Sequence, residues 1–327
     1  MRIAFVGGVP NIMGGGGLEV QMAETALALR SSGHSVAVWG NDLDSEDIDV
    51  LHIYGADPAS WNYLRNWTRN RVPVVVSPIA VFDTPFAGMM ERWISRLKIG
   101  PTNTANMRRG VVAAADHLIA LHPAERDWIC RSYDRPATEV SVIPNGSSAI
   151  SSSSAVSGES YICVVGTVGA RKGQLDLLGT WDRALPDLRV IGGLTPNWKD
   201  AHAFEQAIAA RVNATWVGAL PRQDVWHAQH AALATISFSV SEGESLALLD
   251  SLRLGRPVLV RKSSSALQMK ERYGSQVRIF DGRDSLVAQI NELRDSAKSD
   301  DVVRPPSWDD VALELQLIYR SLLPGKD

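Results

Sequence analysis

Two short stretches of this 327-residue chain hold the residue types that chemistry needs. The first is Ser241-Glu242-Gly243-Glu244-Ser245-Leu246-Ala247-Leu248-Leu249-Asp250. A strand is expected to end near Phe238, a loop to carry Glu242, and a helix to run from near Ser245 to Gly255, with Pro257 after it. Free N–H groups at such a helix start, facing the end of a strand, hold phosphate. Carboxylates do not bind phosphate, but they accept hydrogen bonds from sugar hydroxyls. Glu242 in the loop and Asp250 deeper in the helix therefore flank an anion site with hydroxyl acceptors, a layout that suits a nucleotide-sugar. A surface helix with scattered acids is the plain alternative. The second stretch is Gly166-Thr167-Val168-Gly169-Ala170-Arg171-Lys172-Gly173, directly after an apolar run. Two adjacent cations at a strand-to-helix turn suit a diphosphate, which needs compensating charge in a partly buried place. A solvated basic turn is the competing reading, and a Walker loop is excluded because no Gly-Lys-Ser/Thr closes it.

Those stretches need a frame. Strand-length apolar runs at 3–6, 36–39, 50–53, 74–76, 118–120 and 140–143 alternate with helical segments. The helix after the Gly14–Gly17 loop places Met22, Ala26 and Leu29 on one face, and Gly33 closes it. Residues 144–158 change character, with Asn145-Gly146 and the run Ser151-Ser152-Ser153-Ser154, which is turn and linker chemistry. A second series then starts at 161–165 and continues at 188–191, 215–217, 234–238 and 258–260. Apolar strands alternating with helices imply parallel sheets covered on both faces. The expected fold class is α/β, with two doubly wound, Rossmann-like domains of similar size. One spans 1–150 and the other 151–305, and ligands would bind at the carboxyl ends of the strands in a central cleft.

Bulk properties narrow the function class. The chain is 45% hydrophobic and 21% charged, as soluble globular proteins are, and its net charge of -3 gives no bulk attraction to nucleic acid. Cys130 and Cys163 form neither a metal-spacing pattern nor a disulfide framework. The first apolar run is too short for a signal peptide, and no stretch approaches the roughly 20 residues that span a bilayer. A cytoplasmic protein is expected.

The motifs together resemble the family 4 retaining glycosyltransferases of GT-B fold. Gly16-Gly17-Leu18-Glu19 resembles the family's first glycine loop, and Gly33-His34-x-Val the turn and strand after it. Val142-Ile143-Pro144-Asn145-Gly146 resembles its strand before the hinge, and 166–173 its Gly-Thr-…-Arg-Lys turn. Glu242 to Asp250 resembles the Glu-x7-Glu signature, followed by Gly255-x-Pro257-Val258. Trp308 and Tyr319 fall in a segment, 306–327, like the family's last helix, which crosses back to the first domain. The resemblance implies a transferase that moves a hexose-type sugar with retention, from a UDP-sugar or a GDP-sugar. The acceptor would be a carbohydrate, a lipid-linked or a small-molecule hydroxyl, and no cofactor or metal is implied. Lys172 and Arg171 would neutralise the diphosphate, while Glu242 would bond the transferred sugar. Asp250 would take the ribose. Backbone groups at Gly243, Ser245 and Leu246 would hold a phosphate. Gly166 and Thr167 would line the turn, and Gly16 and Gly17 would admit the donor from the first domain. Thr167 stands where many relatives carry arginine, Asp250 is one methylene short of the usual Glu, and Glu244-Ser245 replaces a common Phe-Gly pair. Ser77-Pro78-Ile79-Ala80 lacks the histidine many relatives place near the reacting sugar. That gap keeps a non-catalytic nucleotide-sugar-binding subunit open beside the enzyme reading. A GT-B epimerase or phosphorylase is the rival within enzymes. A dinucleotide oxidoreductase is disfavoured, because Gly7-Gly8-Val9-Pro10 gives no Gly-x-Gly-x-x-Gly.

Other residues take plain defaults. Asp42-Leu43-Asp44 in a polar loop reads as solvated charge rather than a metal motif. His34, His117, His202, His227 and His230 read as structural or surface residues. His52 and His122 are expected near strand ends facing the cleft, where a structural role is the default for both and His122 and Asp83 are acceptor-side candidates. In 85–98, Phe86, Met90, Trp93 and Leu97 recur at helical spacing beside Arg92, Arg96 and Lys98. Packing on the first domain's core is the default for this helix. Peripheral contact with the inner face of a membrane is the sharper alternative.

Overall fold

The computed structural model describes residues 1–8, 16–39, 48–67, 72–79, 104–148, 161–240, 242–295 and 303–323. Asp42, Asp44, Asp83, Ser241 and the 85–98 segment lie outside them. The chain divides into two compact units, one of Met1–Gly146 with Pro306–Asp327 and one of Ser147–Pro305.

In the first unit the strands are β1 (Arg2–Gly7), β2 (Ser35–Val38), β3 (Val50–Tyr54), β4 (Val74–Ser77), β5 (His117–Ala120) and β6 (Val140–Val142). They form one parallel sheet of order β2-β1-β3-β4-β5-β6. β3 and β4 are buried along their whole length, which is why they read as continuous apolar runs rather than alternating ones. The helices are α1 (Gly17–Ser31), α2 (Pro58–Asn66), α3 (Thr104–Ala113) and α4 (Pro123–Tyr133). Met22, Ala26 and Leu29 of α1 are fully buried, as their spacing predicts.

The first unit is completed by the helix Trp308–Ser321, which packs on α1. Ser307 and Asp310 form a capping box at its start. Trp308, Val311, Leu315 and Tyr319 are its buried face. Gly146 ends the first pass of the chain against this helix: a Cβ there would lie 2.7 Å from Trp308 Cδ2, so only glycine fits. Tyr319 reaches the centre of the sheet. Its hydroxyl lies 2.6 Å from His52 Nδ1, and His52 Nε2 lies 2.9 Å from Ser77 Oγ. His52 stacks on Tyr54 with ring centroids 4.2 Å apart. The structure thus corrects the expectation for His52, which sits mid-strand in β3 with both ring nitrogens engaged, not at a strand end facing a cleft. A parallel strand buried on both faces hides in the sequence which of its residues carries a polar seam.

In the second unit the strands are β7 (Tyr161–Val165), β8 (Asp187–Ile191), β9 (Ala214–Gly218), β10 (Ala234–Ser237), β11 (Val258–Arg261) and β12 (Val277–Phe280). Their order is β12-β11-β10-β7-β8-β9, all parallel, so the chain reverses direction across the sheet between β7 and β10. Five of these strands follow the apolar runs, and β12 was not anticipated. The helices are α5 (Gln174–Thr180), α6 (Ala201–Ala209), α7 (Arg222–Ala231), α8 (Leu246–Arg253), α9 (Ser264–Tyr273) and α10 (Arg283–Asp295). The remaining helix, Trp308–Ser321, is α11. Among the described residues, no helix is long and apolar enough to cross a membrane.

The His52 seam generates a prediction. Tyr319→Phe leaves His52 Nδ1 buried without its partner and should cost about 1–3 kcal/mol of stability. Burial lowers the His52 pKa from 6.5 to about 3. The unfolded chain takes up a proton there near pH 6.5, whereas the folded protein does not until about pH 3. The stability linked to His52 is therefore whole above pH 6.5 and lost progressively as pH falls towards 3. Denaturant titrations of the wild type and His52→Gln across that window check it. A stability slope equal in both would overturn the assignment.

Candidate functional site

In a doubly wound sheet, ligands lie outside the carboxyl ends of the two strands where the strand order reverses. In the second unit those strands are β7 and β10, and the two sequence stretches singled out above are the loops that follow them. The loops are joined backbone to backbone, with the Val240 N–H donating to the Arg171 carbonyl at 3.0 Å. Such an approach needs glycine. Gly173 has φ +66, and a Cβ on it would lie 2.7 Å from the Phe238 carbonyl oxygen. Gly166 has φ +138, a backbone conformation that favours glycine.

Within this frame Lys172 Nζ donates to Glu242 Oε1 in a short ion pair, with both side chains mostly shielded. Ser239 Oγ donates to the same oxygen at 2.7 Å and takes a bond from Ser237 Oγ at 3.1 Å. Glu242 Oε2 has no hydrogen-bond partner among the described residues. Arg171 is exposed next to this pair, and its guanidinium has no partner among the described residues. Ser245 opens α8 without a side-chain cap, so the Leu246 and Ala247 amides point out of the helix unsatisfied. Gly243 lies between Glu242 and that helix start. The structure therefore gathers Gly166, Arg171, Lys172, Glu242, Gly243, Ser245 and Leu246 around adjoining loops. Thr167 is exposed on the same turn.

Asp250 is more occupied than its sequence reading implied. It is 8% exposed, its Oδ1 accepts from Ser147 Oγ at 2.6 Å, and its Oδ2 accepts from Trp226 Nε1 at 3.0 Å. Arg222 lies over the Trp226 ring and donates to Ser148 Oγ at 3.1 Å. Ser147 and Ser148, at the start of the second unit, are thereby fastened to α7 and α8.

Two working residues escaped the sequence reading. Gln174, almost fully buried, accepts from the Gly169 N–H and donates to the Thr167 carbonyl, both at 3.1 Å, and so shapes the turn that carries Lys172. Ser239 orients Glu242. Neither type is diagnostic in sequence. Only the Ser237-x-Ser239 alternation at a strand end gave a signal.

In the first unit Gly16 caps α1, and its N–H donates to Glu19 Oε2 at 2.6 Å; Gly17 is exposed beside it. His122 is the N-cap of α4, where its Nδ1 accepts from the Glu125 N–H at 3.1 Å. That structural duty accounts for a histidine at this strand end. Among the described residues, no group of three or more His, Cys, Asp or Glu side chains is placed to hold a metal ion.

Residues 40–148 match the family model described as Glycosyltransferase Family 4. No curated protein matches the chain significantly. Among solved structures the chain is similar to sucrose-phosphate synthase from Thermosynechococcus elongatus, at 15% identity and TM-score 0.73, over 98% of this chain and 99% of that one. It is similar to Anabaena HepE, solved in complex with UDP and glucose, at 14% identity and TM-score 0.69, over 98% of this chain and 100% of that one. WaaG, a glycosyltransferase involved in lipopolysaccharide biosynthesis, matches at 16% identity and TM-score 0.61, over 99% and 100% of the two chains. Likeness at this identity shows the fold, which is GT-B.

The Asp250 contacts give a prediction that separates shape from charge. Asp250→Asn can keep its oxygen on the Trp226 N–H, which only donates, and turn its amide to Ser147 Oγ, which also accepts. Asp250→Ala strands both partners and should cost about 1–3 kcal/mol. Urea denaturation should find the Asn variant much nearer the wild type. Equal losses would mean that these bonds do not hold the segment.

Proposed function

We propose that the chain, whose residues 40–148 match the Glycosyltransferase Family 4 model and whose fold is GT-B, transfers a hexose-type sugar from a UDP-sugar to an acceptor hydroxyl with retention at the anomeric carbon. The observation that carries this reading is the meeting of Lys172 and Glu242 from the two loops at the reversal point of the second sheet. Without a donor, the cation and the acid satisfy each other. A nucleotide-sugar offers each a better partner, diphosphate oxygens for Lys172 and sugar hydroxyls for Glu242. HepE, which shares the fold, binds UDP, and that supports uridine as the base.

In this reading the Leu246 and Ala247 amides hold a phosphate at the positive end of α8. Arg171 and Lys172 take up the charge that grows on the diphosphate as the bond from the anomeric carbon to its oxygen breaks. Fixed charges of this kind act without reorganising when the reaction occurs. The acceptor oxygen bonds to the same face of the sugar, and its proton passes to the departing phosphate. Glu242, held by Ser239, leaves Oε2 to fix the sugar hydroxyls. Asp250 takes the ribose while it is held by Ser147 and Trp226. The cations carry the charge compensation that a metal supplies elsewhere. The acceptor is a glycan, a lipid-linked sugar or a small molecule.

Calorimetric titration with UDP tests the reading, and no binding of UDP would refute it. Lys172→Ala should weaken UDP binding by about 1.5–3 kcal/mol. Glu242→Gln should depress donor turnover while leaving UDP affinity equal or tighter, because the acid no longer competes for Lys172. A Glu242→Gln variant that loses UDP affinity as Lys172→Ala does would overturn this division of roles.

A further inference from the structure

The loop that carries Glu242 also borders a pocket in which Arg261, Ser263 and Ser265 have no part in the roles above. Ser237, Ser239 and Glu242 line it together with Arg261, Ser263 and Ser265, and the rest of the lining is mostly apolar side chains of α8, β11 and α9. Serine hydroxyls both donate and accept, which suits sugar hydroxyls. Apart from Arg171, which faces the diphosphate in the reading above, the cations nearby are paired with one exception. Lys172 pairs with Glu242, Arg272 with Glu244 at 2.9 Å, and Lys262 with Asp281 at 3.0 Å. Arg261, the last residue of β11, has no carboxylate partner among the described residues. Its guanidinium lies over the Phe238 ring, 5.1 Å from the centroid, and Phe238 in turn stacks on Phe280. Stacking occupies the face of the guanidinium and leaves its N–H edge for a planar anion.

We propose that this pocket takes the far side of the transferred sugar and that Arg261 selects a sugar bearing a carboxylate, a uronic acid, over its neutral counterpart. The inference rests on the reading above, in which the donor is a UDP-sugar and Glu242 bonds its sugar. A pocket holding Glu242 alone would repel a carboxylate. Once Lys172 turns to the diphosphate, Arg261 is the cation in the pocket lining that offsets that charge and meets a carboxylate.

The test is calorimetric titration of UDP, UDP-glucose and UDP-glucuronate into the wild type, Arg261→Gln and Arg261→Lys, with melting temperatures showing that the variants fold. UDP-glucuronate should bind the wild type about tenfold or more tightly than UDP-glucose, the scale of one charge-assisted hydrogen bond. Arg261→Gln should abolish that preference at unchanged UDP affinity, and Arg261→Lys should keep part of it. Equal binding of the two sugars to the wild type, or a preference that survives Arg261→Gln, overturns the inference while UDP binding leaves the donor reading standing. If UDP itself does not bind, the donor reading falls and this inference falls with it.

Discussion

The ion pair between Lys172 and Glu242 is the constraint around which the second unit's site is arranged. Its partners lie 70 residues apart in sequence, and they meet because β7 and β10 are neighbours in a sheet whose chain order reverses between them. The loops must also touch without a side chain intervening, which fixes glycine at Gly173, while the positive φ fixes it at Gly166. Gln174 then holds the turn open from beneath by bonding two of its backbone groups. A charged pair of this kind is a poor source of stability, since desolvation offsets much of its attraction. It makes better sense as a place held for a ligand that carries both kinds of partner.

The first unit uses its buried polar groups differently. Tyr319, His52 and Ser77 form a chain of bonds sealed from water, with no oxygen or nitrogen left at a surface to meet a ligand. A neutral histidine between two hydroxyls satisfies both ring nitrogens, and it ties a helix from the end of the sequence to the centre of a sheet made from its beginning. Apolar packing alone would leave the docking of α11 less specific, because any residue of similar volume would serve.

Much of this architecture was legible in the sequence because parallel strands buried on both faces are written as apolar runs. β12 was not, since Val277-Arg278-Ile279-Phe280 interrupts its apolar run with an arginine whose guanidinium bonds to Glu292 at 2.7 Å. At the site, the charged residues of both loops were visible by type and spacing. Gln174, Ser239 and the Ser147 bond to Asp250 were not, because they work through hydrogen bonds set by tertiary structure. The His122 position was legible as a strand end, but its capping bond is a local geometric fact that spacing does not reveal.

The same tertiary view accounts for the aspartate at 250, where the Glu-x7-Glu signature that this stretch resembles has glutamate. Its carboxylate is held on both oxygens, by Ser147 at the start of the second unit and by an indole from α7. A side chain one methylene longer would carry the carboxylate about 1.5 Å further along, away from donors that sit 2.6 and 3.0 Å from its present place. Trp226 is itself set by the Arg222 guanidinium over its ring, and Arg222 reaches Ser148, so four side chains and the aspartate fix one another. The shorter acid is thus matched to a local frame rather than being a weakened copy of the longer one. Whatever ribose contact it makes must share a carboxylate that already holds the entry to the second unit.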